Sequence, residues 1–89
     1  MIEQELIVAN KLGLHARATA KLVQLLSGYR CDATLSAKGR EVNAKSIMGV
    51  MLLAAGAGTP VILRVHGDDE VEAAAAVCAL FASLFDEAG

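Results

Sequence analysis

The chain has 89 residues, 55% of them hydrophobic and only three aromatic, with ten acids against eight bases for a formal charge of −2. That size suits one compact domain over residues 1–89, with a finely packed, alanine-rich core and no need of a disulfide or metal staple. There is no basic excess for nucleic acid, no apolar stretch longer than Val50 to Ala57 for membrane insertion, and no leader-like start, so cytoplasmic work is expected.

Ile2, Leu6 and Val8 share one parity and predict a first strand with its inner face there. Asn10 to Gly13 is loop chemistry. From Ala16 to Ser27 the pattern is helical, with Ala18, Leu22, Val23 and Leu26 on one stripe and Arg17, Lys21 and Gln24 on another. Gly28 caps that helix. Cys31, Ala33, Leu35 and Ala37 then alternate with Asp32, Thr34 and Ser36, as in a half-buried strand. Lys38-Gly39 is a hairpin turn into a short strand around Glu41 to Asn43. Ser46 caps a short helix to about Leu53, which Gly56 and Gly58 close. Pro60 opens a last strand, Val61 to His66, and Asp68-Asp69-Glu70 begins a final helix. Val71, Ala74, Ala75, Cys78, Ala82 and Phe85 follow at helical spacing as its inner stripe. The spacing of Cys31 and Cys78 fits neither a disulfide framework nor a CxxC motif, and both read as small buried hydrophobes. The order β-α-β-β-α-β-α, with one amphipathic face per strand, predicts an α+β fold whose helices cover one side of an antiparallel sheet.

Gly13-Leu14-His15-Ala16-Arg17-Ala18 is the most informative stretch. It sets an imidazole between a glycine turn and a helix start, where free amides and the helix dipole favour negative charge. A neutral imidazole is a good nucleophile near pH 7, and a phosphoryl group on it stays reactive enough to be passed on. Arg17 adds a guanidinium that fits a phosphate fork. The plainer alternative is a surface histidine before a helix and a solvated arginine. No further acid, base or nucleophile clusters near His15 in the sequence, as a hydrolase would require. His66, at a strand end, reads as structural.

A second signal is Asn43-Ala44-Lys45-Ser46-Ile47-Met48-Gly49-Val50-Met51. Ser46 is an N-cap by residue type, and a phosphate there would meet the positive helix end. On so short a helix, Ile47, Met48 and Met51 cannot all be buried, which suggests a surface patch adaptable to several partners; the plainer alternative is that Met48 and Met51 are core.

With these residues in view, the chain resembles the histidine-containing phosphocarrier (HPr) family of the phosphoenolpyruvate-dependent phosphotransferase system. The likeness runs along the whole chain and is carried by Lys11 to Arg17, Lys21-Leu22-Val23 and Asn43 to Met51. It implies an open-faced β-sandwich, with three helices on one face of a four-stranded antiparallel sheet. It also implies that His15 is phosphorylated on Nδ1 with Arg17 as its phosphate partner, and that Ser46 is a regulatory phosphorylation site. Ile47, Met48 and Met51 would be the docking patch. The implied partners are enzyme I as donor, EIIA-type domains as acceptors and an HPr kinase/phosphorylase acting on Ser46. The implied carrier is a monomer rather than an enzyme, with no metal or cofactor, since magnesium and phosphoenolpyruvate belong to the enzyme upstream. Ala16 and Ala18 stand where many members carry Thr and Pro, and Lys11-Leu12 replaces a frequent Pro. That variant looks like a proteobacterial branch, serving sugar uptake or nitrogen and carbon regulation. The competing reading is a regulatory docking module that works through its Met-rich helix and does not need a nucleophilic His15; a general α+β ligand-binding domain is a more distant one.

Overall fold

The computed structural model describes residues 1–87 and runs β1 (Ile2–Ile7), α1 (Ala16–Ser27), β2 (Asp32–Ala37), β3 (Arg40–Asn43), α2 (Ile47–Leu52), β4 (Pro60–His66) and α3 (Glu70–Ala82). All strand pairs are antiparallel, in the order β1-β4-β2-β3. Alternation decides the inner face. Ala33, Leu35 and Ala37 of β2 and Val61, Leu63 and Val65 of β4 are buried, with Leu35 directly opposite Leu63. Each fully buried Leu or Val side chain contributes about 1.5–3 kcal/mol. The other face stays open. There Arg64 of β4 donates to Glu3 of β1 (2.6 Å) and Glu41 of β3 (2.9 Å), tying both edge strands to the centre. The open-faced arrangement, with helices on one side, is the one expected.

Local chemistry places most elements where the residues predict them. Lys38 and Gly39 both have positive φ (53° and 77°), the conformation that a two-residue hairpin of this twist requires. Ser46 accepts from the Gly49 amide at 3.1 Å, satisfying one of the free N–H groups at the start of α2. α1 packs against both α2 and α3, and its Leu22 and Leu26 are fully buried.

Four expectations need correction. Gly56 and Gly58 do not close α2: the helix ends at Leu52 with Leu53 as cap, and Ala54 (φ 50°) takes the left-handed step that turns the chain. The cysteines are half-buried rather than buried, Cys31 just ahead of β2 and Cys78 at the rim of the α3 stripe. Burial still pushes the Cys31 thiol up, away from its reactive thiolate. The inner stripe of α3 is also displaced. It is Ala73, Ala74, Val77 and Phe81, whereas Val71 is 64% exposed and Ala75 and Ala82 face outward. Beyond its glutamates this helix is Ala, Val, Cys, Leu and Phe throughout, so polarity gives its rotation little direction. Size decides instead: Phe81 takes the core and brings Val77 and Ala73, successive turns earlier, onto the same face.

Phe85 is buried as expected, but not as part of α3. It lies in a short 3-10-type turn, Leu84–Asp86, whose residues all have left-handed φ (57°, 56° and 60°). Left-handed conformations cost roughly 1–2 kcal/mol per non-glycine residue. Offsetting this, the Phe85 ring is fully buried with its centroid 4.8 Å from that of Phe81, and Lys21 donates to the Phe85 carbonyl at 2.7 Å. The turn reverses the chain so that Glu87 meets the start of α1.

Candidate functional site

The loop before α1 is held from below. Gly13 has φ 69°, and a Cβ there would lie 2.7 Å from the Ala55 carbonyl oxygen and from the Gly56 Cα. Only glycine allows the chain this close to the segment after α2, where Leu14 donates to the Ala55 carbonyl at 2.9 Å. Thr19, fully buried, donates its hydroxyl to the Leu14 carbonyl at 3.2 Å. The loop therefore delivers His15 to the N-cap of α1, with extended backbone (φ −78°, ψ −178°).

In that position the imidazole itself caps the helix. Nδ1 accepts from the Arg17 backbone amide at 3.3 Å, and the first intrahelical bond runs from Thr19 N–H to the His15 carbonyl. A ring nitrogen that accepts carries no proton, so the neutral ring is protonated on Nε2. Nε2–H then donates to Glu87 Oε2 at 2.5 Å. The other carboxylate oxygen of Glu87 accepts from Asn10 Nδ2 at 3.0 Å, and the same Nδ2 donates to the Gly13 carbonyl at 2.8 Å. Hydrogen bonding from Asn10, and then from His15, holds the Glu87 carboxyl below the usual carboxylate range. His15 retains 29% exposure of its side chain and Glu87 13%, so the ring is accessible while its acidic neighbour is largely covered.

An acid thus stands beside His15 after all, contrary to the sequence reading. Asn10 and Lys21 were given no site role and Glu87 was not named, because Glu87 lies 72 positions from His15 and no local spacing links them. Asn10 is one of two buried polar side chains, with Thr19, but that burial is set by the fold, and by residue type Asn10 reads only as loop chemistry. Arg17 is exposed on the first turn of α1, and among the described residues its guanidinium makes no ion pair. The arrangement offers an unprotonated Nδ1 facing a helix-start amide, an exposed arginine on the same turn, and a carboxylate on the far side of the ring. That set can receive and release a phosphoryl group.

Ser46 is half-buried at the start of α2, away from the ring, and is not brought into contact with His15 by any hydrogen bond among the described residues. Ile47, Met48 and Met51 are 49%, 75% and 41% exposed, which resolves the choice between core and surface in favour of a surface patch. Leu52 and Leu12 are exposed too and were missed. Leu12 belongs with them because the adjacent Gly13 sits on Ala55 and Gly56, just beyond α2. His66 ends β4 in an exposed position opposite Asp32. Among the described residues, no group of three His, Cys, Asp or Glu side chains is placed to hold a metal ion, and no helix is long and apolar enough to cross a membrane.

The family model for the PTS HPr component phosphorylation site matches residues 2–83. The chain is 63% identical over 87 residues to the phosphocarrier protein HPr of Xylella fastidiosa and 52% identical over 87 residues to that of Cupriavidus necator, covering 98% of each chain in both cases. It superposes on HPr-C-His from Thermoanaerobacter tengcongensis with a TM-score of 0.96 at 42% identity, covering 100% of both chains, and HPr from that organism has also been solved as a dimer.

Proposed function

The chain belongs to the HPr family of phosphocarrier proteins, of proteobacterial type, and on that premise we propose that His15 Nδ1 is the atom that carries its phosphoryl group. The observation that carries this reading is the ring's placement, with an unprotonated Nδ1 at the helix start and Nε2 occupied by Glu87. The Nδ1 lone pair attacks phosphorus on a phosphorylated donor. The new N–P bond forms as the donor's bond to phosphorus breaks, and that bond's electron pair stays on the donor atom, which takes a proton from solvent. The phosphorylated His15 ring is then positively charged until Nε2 gives up its proton to water. Amides of the first turn of α1 face the phosphoryl oxygens, with a dipole contribution on the order of 0.3–1 kcal/mol that steadies the group without trapping it. Arg17 swings onto the same oxygens.

In this reading the protein is a carrier rather than an enzyme. It acts as a single cytoplasmic domain over residues 1–89, monomeric and without a cofactor. Enzyme I is the donor, EIIA-type domains are the acceptors, and both dock on Ile47, Met48 and Met51, with Leu12 and Leu52 extending the patch. Ser46 is the control point, phosphorylated by an HPr kinase/phosphorylase where the host has one. A docking module would also use the exposed α2 surface, yet it would have no use for an oriented ring nitrogen. Incubation with enzyme I and labelled phosphoenolpyruvate tests the proposal: the wild type should form an acid-labile, base-stable adduct and His15→Ala none. Normal labelling of a folded His15→Ala protein would remove His15 from the mechanism.

A further inference from the structure

We infer that Glu87 is a positioning residue for His15, its carboxylate fixing the imidazole in the tautomer that leaves Nδ1 free for phosphoryl transfer. This rests on the reading of His15 as the carrier. A neutral imidazole in solution places its proton on either nitrogen, and only the form protonated on Nε2 presents Nδ1 as a nucleophile. A carboxylate can only accept, so its contact with Nε2 selects that form. The logic is that of a catalytic triad, in which a buried acid holds the histidine in one tautomer and steadies the charge that develops on the ring. Here the charge arises as the N–P bond forms, while the proton is still on Nε2 and faces Glu87. Occupation of Nε2 also closes the wrong nitrogen to the incoming group.

The carboxylate is itself held in place from three directions. Asn10, fully buried, donates to Oε1, so rotation of the carboxylate would break a covered hydrogen bond. The residues ahead of it form the left-handed turn whose Phe85 is fully buried. Lys21, one turn beyond Arg17 on α1, donates to the Phe85 carbonyl and lies 3.8 Å from Asp86 Oδ2. The same helix thus supplies the amide that binds Nδ1 and the clamp on the turn that binds Nε2.

Glu87→Gln separates positioning from mere packing. In that variant the side-chain oxygen still takes the Asn10 donor, which leaves an NH2 group facing Nε2. A donor there favours an unprotonated Nε2 and moves the proton to Nδ1. Nitrogen-15 NMR of the ring at a pH where His15 is neutral should find Nε2–H in the wild type, Nδ1–H predominant in Glu87→Gln, and in Glu87→Ala a smaller shift toward Nδ1–H, because the Arg17 amide still favours an unprotonated Nδ1. Phosphoryl uptake from enzyme I should fall about tenfold or more in Glu87→Gln, and less in Glu87→Ala. Failure of the wild type to take up label on His15 would overturn the carrier reading as well. Normal wild-type uptake, with ring shifts unmoved in both variants or with a moved tautomer and unchanged uptake, would overturn this inference alone.

Discussion

His15 is served by two kinds of partner that act on different nitrogens, and the consequences of losing each differ. On the Nδ1 side, the proposed mechanism has backbone amides and Arg17 share the phosphoryl oxygens, so Arg17→Ala should slow phosphoryl acceptance on the order of tenfold without abolishing it. Stopped-flow transfer from enzyme I measures this, and unchanged kinetics would exclude the guanidinium. On the Nε2 side, Glu87 faces His15 and, more remotely, Lys21, and Asn10 is the chief cause of its depressed pKa. A carboxyl whose folded pKa lies below its unfolded value contributes stability above the unfolded value and loses it as pH falls through the folded one. The Glu87 contacts should therefore persist at pH 4.5, the ordinary value, and be lost only below it. Asn10→Ala should move the carbon-13 titration midpoint of the Glu87 carboxyl upward toward that value. An unmoved midpoint would show that Asn10 does not hold this carboxylate.

The elements bearing these residues were legible in the sequence to very different degrees. β2 and β4 alternate so cleanly that their inner faces follow from parity alone, and α1 carries Leu22 and Leu26 in a stripe bounded by polar residues. In α3 the near-uniform apolar sequence left rotation to side-chain size, and the spacing through Val71 and Cys78 pointed to the wrong face. The turn after it was not legible at all, because three consecutive left-handed residues without a glycine are a tertiary outcome, held by Phe85 burial and the Lys21 clamp. α2 is a case where residue type spoke clearly: Ser46 caps it through Gly49. Ser46→Ala should cost about 1 kcal/mol of stability, visible in urea unfolding, with transfer largely preserved. Ser46→Asp keeps a negative group at the helix start, where it is favourable, but sets charge beside the exposed Ile47, Met48 and Met51. It should retain its helical signal and bind enzyme I more weakly in calorimetric titration. Equal affinity for Ser46→Asp and wild type would leave Ser46 as a cap and nothing more.

Across the whole molecule, the active loop is built from parts distant in sequence. The segment after α2 seats Gly13, the start of α1 receives the ring, and residues beyond α3 return to supply Glu87. The His15–Arg17 motif pointed to the chemistry we propose, and the family resemblance implied the atom, but the means of orienting the ring required the fold. A sheet closed by helices on one side only leaves Arg64 and its ion pairs on the other face, while Ile47, Met48, Met51, Leu52 and Leu12 form an exposed apolar group at α2 and the loop that carries His15; Met1, Ile7 and Val71 are exposed elsewhere. The proposed docking patch and the proposed phosphoryl site therefore adjoin one another. The central claim is that the phosphoryl group resides on Nδ1 of His15. Phosphorus–nitrogen coupling in NMR spectra of protein labelled with nitrogen-15 in its imidazoles and phosphorylated by enzyme I tests it most directly. Coupling to His15 Nδ1, with Nε2 unmodified, is the predicted result; coupling to His15 Nε2, or to either nitrogen of His66, would contradict it.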